Sequence, residues 1–465
     1  MAMKAAIIGG GVIGGGWAAR FLLNGWDVDV FDPDPEAARK LDAVLENARR
    51  SLPMLYEQGL PDEGRLRLVP TVAEAVTGAD YVQESVPERL VLKHKVLAAV
   101  EAAAPDVPIG SSTSGFKPSE LRTGMVNPGR LMVAHPFNPV YLLPLVELVW
   151  VGGDPGVAKA VQDMLTLVGM RPLVVRAEID AHLADRFLEA VWREALWLIK
   201  DDIATTEEID EAIRLGFGLR WAQMGLFETY RVAGGEGGMT HFVEQFGPAL
   251  AWPWTKLMDV PELTPELAKK IGDQSDAQSG SLSIRELEGL RDRNLVAILR
   301  ALKGEGSGAG QVLAAHDATL ARPMAQALPL ITVQRVIPSD WTDYNGHMNE
   351  SRYGQVFSDA ADAVMVHVGA GPDYIANGLS YFTVETSIKY LVETHAGEAV
   401  RVGTKVLIGE GKKLKLAHEM QRALDGVVLA TCEQFLIHVS LESRSSCLPS
   451  ASVQTAVEAL AAAHK

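Results

Sequence analysis

Three stretches carry residue types whose spacing could do chemistry. The first, IIGGGVIGGG, contains Gly9-x-Gly11-x-x-Gly14, with Asp32 18 residues beyond Gly14. Glycines so placed let a chain turn tightly after a strand and admit a pyrophosphate to a helix N-terminus. An acid at the end of the next strand accepts hydrogen bonds from ribose hydroxyls. DPDP follows at Asp32 with no adjacent arginine to meet a 2′-phosphate, so NAD is expected rather than NADP. The turn residues Gly9, Gly10, Gly11, Val12, Ile13 and Gly14, with Asp32, are the cofactor-binding candidates. The second stretch, AHPFNPVYLLPLVELV, sets His135 and Glu147 12 residues apart. Oxidising a secondary alcohol needs a base that titrates near the working pH, and a histidine with a carboxylate partner supplies one. The third, DYNGHMNESRY at 343–353, offers an acid, a glycine, a histidine and an asparagine far from the nucleotide-binding end.

The elements that must position these residues fall into three blocks. Residues 1 to about 183 alternate short apolar runs (KAAIIG, DVDVF, DYVQESV, VPIGSST, LMVAHPF, LVELVWV) with helical patterns, which predicts a mainly parallel sheet of Rossmann type. From 184 to 303 the pattern is helical. HLADRFLEAVWREALWLIKDD places Phe187, Val191 and Leu198 on one apolar stripe, and SIRELEGLRDRNLVAILRAL reads as a second strong helix. KGEGSGAGQ at 303–311 predicts a flexible Gly/Ser/Ala-rich linker over 304–328. Five strand-like runs and one helix, about 350–368, then make an α+β module over 329–447, followed by an alanine-rich tail at 448–465. The expected fold is therefore an α/β Rossmann domain, an all-α domain and an α+β domain.

With 465 residues the chain exceeds one ordinary core. A formal net charge of −16 argues against nucleic acid and anionic membranes as partners. Cys432 and Cys447 form no CxxC pattern, and the histidines are scattered, so no metal site is expected. No apolar run reaches the ~18–20 residues of a spanning helix, and KAAIIGGG reads as a strand rather than a signal peptide. A cytoplasmic location is expected.

HPFNP followed by a strand containing glutamate, with ESVPERLVLK and SSTSG, resembles the 3-hydroxyacyl-CoA dehydrogenase family over residues 4 to about 300. The resemblance implies that His135 removes the hydroxyl proton as hydride leaves to the nicotinamide. By the same resemblance Glu147 holds the other ring nitrogen, Ser114 binds the substrate hydroxyl, and Asn138 helps position substrate. Glu88 and Lys93 would contact the cofactor side. One position departs: family members usually carry asparagine near the start of the long helix, where this chain has Asp185 in HLADRFLEA. Either Asp185 is a capping or solvated acid, or the site meets a cationic substrate. The segment with GLRWA and MGLFE resembles the branch of the family that handles small hydroxy acids, including carnitine and gulonate dehydrogenases. Trp192, Trp197, Trp221, Trp252, Trp254, Phe227 and Tyr230 are aromatic candidates for a quaternary ammonium. Arg220 is a candidate for a substrate carboxylate.

Around DYNGHMN the sequence resembles the hotdog-fold thioesterases, over about 329–443. That resemblance implies Asp343 as the catalytic carboxylate, acting as base or nucleophile. His347 and Asn349 would shape the substrate site, the N–H groups around Gly346 and His347 would polarise the thioester carbonyl, and Glu385 is a weaker candidate across a dimer. The alternative is that Asp343 and Asn345 merely cap a helix in a non-catalytic dimerisation domain. Together the resemblances imply oxidation of L-carnitine and hydrolysis of betainyl-CoA by a homodimer. The alternative is a 3-hydroxyacyl-CoA or gulonate-type dehydrogenase with a non-catalytic hotdog domain.

Overall fold

The structure is a computed structural model that describes residues 3–233, 281–320 and 328–464, with scattered positions between 242 and 274. It resolves into two compact units: Met1–Arg49 with Asp62–His316, and Arg50–Pro61 with Asp317–Lys465.

The first unit is built on an eight-stranded sheet of β1 (Lys4–Ile8), β2 (Asp27–Phe31), β3 (Leu66–Leu68), β4 (Tyr81–Glu84), β5 (Ile109–Ser111), β6 (Leu131–Pro136), β7 (Leu145–Val149) and β8 (Arg171–Val174). Its order is β3-β2-β1-β4-β5-β6-β7-β8. Every pair is parallel except β6–β7, which is antiparallel and places His135 opposite Glu147. Buried on both faces, the central strands need the near-continuous apolar runs seen in the sequence; β6 is buried along all of LMVAHP. Ile8, Val82, Ile109, Leu131 and Val133 meet Leu97 and Val100 of the helix Leu90–Ala103 in the core beneath the site.

At residue 184 the helix Ala184–Lys200 begins, and it departs from expectation. Leu196 and Ile199 are its buried residues, while Phe187 is 60% exposed and Trp192 58% exposed. Helix Ile284–Gly304 opens with a reciprocal cap, Ser283 Oγ accepting from the Glu286 N–H and Glu286 Oε2 from the Ser283 N–H. The expected flexible linker is corrected: Ala309–Leu320 is a helix with Leu313 fully buried. The glycines make a tight helix-to-helix turn instead, because a Cβ at Gly310 would lie 2.1 Å from the Leu302 carbonyl carbon.

In the second unit, β9 (Leu330–Val336), β10 (Leu379–Tyr390), β11 (Ala399–Glu410), β12 (Lys413–Arg422) and β13 (Val428–Ser440) form an antiparallel sheet in the order β10-β13-β12-β11-β9. The helix Glu350–His367 buries Tyr353, Val356, Phe357, Ala360 and Val364 against it, the helix-in-sheet arrangement of a hotdog fold. The alanine-rich tail does form a short terminal helix, Ala451–Ala463, whose Val453, Val457 and Ala461 join the core of this unit. Among the described residues no helix is long and apolar enough to cross a membrane.

Candidate active sites

The glycine turn has the shape its spacing predicts. Gly9 has φ +101°, and a Cβ at Gly14 would lie 1.7 Å from the Gly9 carbonyl oxygen, so only glycine lets strand and helix close so tightly. A Cβ at Gly11 would meet nothing within 4 Å, leaving open space at the N-terminus of the helix Val12–Leu22. Asp32 Oδ2 accepts from the Gly10 N–H at 2.7 Å, and its Oδ1 accepts from the Asp34 N–H at 2.8 Å. Each oxygen keeps a further lone pair for a ribose hydroxyl. This cradle fits a dinucleotide.

Lys93 is 1% exposed, with its ammonium 2.9 Å from Glu84 Oε1 and 3.2 Å from the Val86 carbonyl. It stiffens the loop after β4 from beneath and does not face outward toward a cofactor. Glu88, 3.2 Å from the same ammonium, accepts from the Thr113 hydroxyl and from the Gly115 N–H at 3.1 Å, the residues on either side of Ser114. Burial pushes the Glu88 carboxyl up, but the Thr113 bond and the Lys93 charge outweigh it and hold the group below its usual range. Ser114 and Asn138 are both exposed.

At the end of β6, His135 Nδ1 lies 3.2 Å from Glu147 Oε2. Glu147 is fully buried, and its other oxygen accepts from the Leu183 and Ala184 N–H groups at 2.8 and 3.0 Å. One carboxylate thus joins the base to the first turn of the long helix, where anions are favoured. Burial pushes the Glu147 carboxyl up, yet its bonds to His135, Ala184 and Leu183 outweigh this and leave it lowered.

That helix start delivers Asp185. Its Oδ2 lies 3.5 Å from Nε2 of His135, the nitrogen that faces away from Glu147. Burial pushes the Asp185 carboxyl above its usual value, His135 offsets part of the rise, and Glu147 adds to it. Two residues escaped the sequence reasoning. His182, with φ +50° and 1% exposure, stands 5.6 Å from the His135 ring, and its Nε2 meets the Thr113 carbonyl at 3.1 Å. Burial lowers its pKa. Phe137 sets its ring edge-on to His135 at 5.0 Å; an aromatic beside the HP pair was visible, but its aim was not.

The remaining candidates of the first unit are less gathered. Trp197 carries the Lys200 ammonium over its ring at 4.2 Å, and Trp221 tilts against Phe217 at 4.6 Å, so both rings have structural partners. Phe227 is 68% exposed, Tyr230 is half-buried, and Arg220 is exposed. Trp252 and Trp254 lie outside the described residues.

In the second unit, Asp343 Oδ1 accepts from the Asn345 and His347 N–H groups at 2.8 and 3.3 Å, and its carbonyl accepts from the Gly346 N–H at 3.0 Å. The expectation that Gly346 and His347 polarise a carbonyl is therefore corrected: both amides already bind Asp343. So is the capping alternative for Asp343 and Asn345, because Asn349 caps the helix, its Oδ1 accepting from the Ser351 N–H at 3.0 Å. Asn349 orients the helix opening with its carboxamide oxygen while its residue lines a cleft of about 810 Å³. Asp343, His347, Tyr353, Tyr390 and Glu393 line the same cleft. Tyr353 donates to Thr394 Oγ1 at 3.1 Å and packs edge-on to Tyr390 at 5.1 Å. Glu385 is exposed on β10 at a register shift.

Residues 4–179 match the family of the 3-hydroxyacyl-CoA dehydrogenase NAD binding domain, residues 182–273 that of the 3-hydroxyacyl-CoA dehydrogenase C-terminal domain, and residues 337–458 the thioesterase-like superfamily. An L-carnitine dehydrogenase/betainyl-CoA thioesterase of Ruegeria pomeroyi is 60% identical over 99% of this chain and 96% of its own. The chain belongs to the L-carnitine dehydrogenase/betainyl-CoA thioesterase family. A second member of that family, from Agrobacterium fabrum, is 56% identical over 97% of this chain and 93% of its own. An L-carnitine dehydrogenase of Pseudomonas aeruginosa, 52% identical, covers 64% of this chain and 93% of its own, so the dehydrogenase half of the carnitine family also occurs alone. Among solved structures, the NAD+-dependent FHMPC 5-dehydrogenase superposes at TM-score 0.55 with 26% identity, covering 65% of this chain and 99% of its own.

Proposed function

We propose that this chain is a bifunctional enzyme that oxidises L-carnitine to 3-dehydrocarnitine with NAD, and hydrolyses betainyl-CoA to glycine betaine and CoA. Membership of the family over nearly the whole chain supports both activities. The observation that carries the substrate assignment is Asp185 beside His135 Nε2. In carnitine the hydroxyl oxygen and the quaternary nitrogen are three bonds apart. A site that brings the hydroxyl to Nε2 therefore brings the cation to the neighbouring carboxylate, in a half-buried setting where the attraction is strong.

In this reading Nε2 of His135 takes the hydroxyl proton while Glu147 holds Nδ1–H and stabilises the imidazolium that forms. Bound NAD supplies the hydride acceptor. Ser114 and Asn138 position the substrate, Asp185 and the Phe137 ring face its trimethylammonium group, and Gly9–Gly14 with Asp32 hold the cofactor. Glu88 fixes the Ser114 loop, and Lys93 fixes Glu88. In the second unit Asp343 draws a proton from water as it attacks the thioester carbonyl. The C–S bond then breaks and the CoA thiolate leaves, taking up a proton. The first turn of the helix Glu350–His367, with its positive end at the cleft, favours the oxyanion. His347 and Asn349 shape the acyl pocket.

We assign the dehydrogenase to residues 1–49 and 62–303, and the thioesterase to residues 329–464 with the segment Arg50–Pro61, within a cytoplasmic homodimer. Exposed Phe187, Leu188 and Trp192 on one long helix support the dimer, as do Phe382 and Val384 on β10, an edge strand of the second sheet. The test is NADH formation with L-carnitine, D-carnitine, L-gulonate and 3-hydroxybutyryl-CoA side by side, with thiol release from betainyl-CoA by the same full-length protein. Turnover of L-carnitine and betainyl-CoA is expected. Activity confined to gulonate or to the acyl-CoA overturns the substrate assignment.

A further inference from the structure

Beside the thioesterase cleft three side chains with metal-ligating atoms converge from distant parts of the chain. Backbone bridges pair His347 with His395, holding their rings edge to face at 4.9 Å. His347 Nε2 lies 3.4 Å from Glu393 Oε2, and one ligand atom from each of His347, Glu393 and His395 lies within 4.8 Å of the others. Among the described residues this is the one such group. Glu398 braces the third member: its Oε2 accepts from the His395 N–H at 3.2 Å, and its Oε1 stands 3.8 Å from His395 Nδ1. A carboxylate behind one ring nitrogen orients a histidine so that the other nitrogen can bind an ion.

We propose that His347, Glu393 and His395 form a site for a divalent transition-metal ion, Zn2+ being the best match, and that its occupation shuts down the neighbouring thioesterase. Two imidazoles and one carboxylate are a borderline donor set that suits Zn2+ and leaves its fourth position to water. Ligand atoms around tetrahedral zinc at ~2.0–2.1 Å sit roughly 3.3 Å apart. The three groups therefore need to close by about 1.5 Å at most, within reach of side-chain rotation because Glu393 and His395 are exposed. Occupation has two effects on hydrolysis, and this part rests on the thioesterase reading of the cleft. His347 and Glu393 both line that cleft, so an ion locks two of its walls. Asp343 binds the His347 amide, and a dication held on the His347 ring draws electrons from a carboxylate that must act as a base.

The experiment uses the full-length protein with Zn2+ alone as ligand, followed by calorimetry and dialysis, and with Co2+ as a spectroscopic substitute whose visible absorption reports tetrahedral coordination. One ion per chain is expected. Thiol release from betainyl-CoA falls at least tenfold on loading and returns with chelator, while NADH formation from carnitine on the same sample stays unchanged. His395→Ala removes the binding and the inhibition but keeps hydrolysis in metal-free buffer. His395→Gln, which preserves size and polarity, serves if the alanine variant loses that activity. Zn2+ or Co2+ binding that survives both His395 variants overturns the site, as does a parallel fall of both activities. If betainyl-CoA is not a substrate at all, the loss of the Co2+ spectrum in the His395 variants still decides the site by itself.

Discussion

His135 and Glu147 face each other across the antiparallel β6–β7 pair, and their 3.2 Å contact is set by strand register rather than by a loop. Glu147→Gln keeps an oxygen for the Leu183 and Ala184 amides but offers an N–H to His135 Nδ1. The imidazole then carries its proton on Nε2, where a lone pair is needed. Carnitine-dependent kcat is expected to fall roughly 10²–10⁴-fold with a small change in KM, and His135→Ala to fall at least as far. NADH titration by fluorescence should show cofactor binding retained in both.

Asp185 opposes two requirements, since the charge that recognises a cation is one the fold disfavours. Asp185→Asn should reduce kcat/KM for carnitine roughly 10–100-fold and affect an uncharged 3-hydroxy acid much less. Stability should move the other way. Burial raises the native carboxyl above its unfolded value, so the stabilisation from protonation is present at low pH and is lost as pH rises through the native value. Thermal unfolding should show Asp185→Asn more stable by about 1 kcal/mol at pH 8, with the gain fading as pH falls through the carboxylate range.

Lys93 and Glu84 form an enclosed ion pair, 1% and 0% exposed. Lys93→Met removes the cation from the buried Glu84 and leaves it only the Ser111 hydroxyl and the Val86 N–H as donors. A loss of about 3–5 kcal/mol is expected by denaturant titration. The loop of Glu88 and Ser114 should loosen with it, raising the KM for both NAD and carnitine.

Asp343→Asn retains the Oδ1 acceptor for the Asn345 and His347 amides, so the turn survives. Hydrolysis of betainyl-CoA should fall at least 10²-fold, with carnitine oxidation unchanged. Equal hydrolysis by the variant and the parent would remove Asp343 from the reaction.

Much of this architecture was legible because its signals are local. The six strands read from apolar runs in the first block all form, and so do the five in the last. β3 and β8 escaped because LRL and RPLV are short, partly exposed and, in β8, contain proline. KGEGSGAGQ misled because composition does not distinguish a glycine chosen for freedom from one chosen for close approach, and Gly310 is the second kind. At the site, the glycine turn was recognisable from its spacing, whereas His135 and Glu147 were recognisable through the family resemblance, since a histidine and a glutamate 12 residues apart are by themselves more often an accident. The Asp185–His135 contact was not, since it depends on how the Leu183–Ala184 amides dock on Glu147. Neither was the engagement of the Gly346 and His347 amides by Asp343, because a turn's internal hydrogen bonds follow from its dihedrals.

The segment Arg50–Pro61 belongs with the second unit, where Glu57 lies 3.1 Å from the Arg335 guanidinium and its N–H binds Asp317. The order of synthesis gives this a consequence. These twelve residues leave the ribosome long before β9 exists, so Met54, Leu55 and Tyr56, all buried in the finished protein, wait for their packing until the last third of the chain appears. The two enzymes are threaded through each other in sequence rather than strung end to end. A cut at residue 328 would leave the first fragment with an unmatched apolar loop and the second with an uncovered β9.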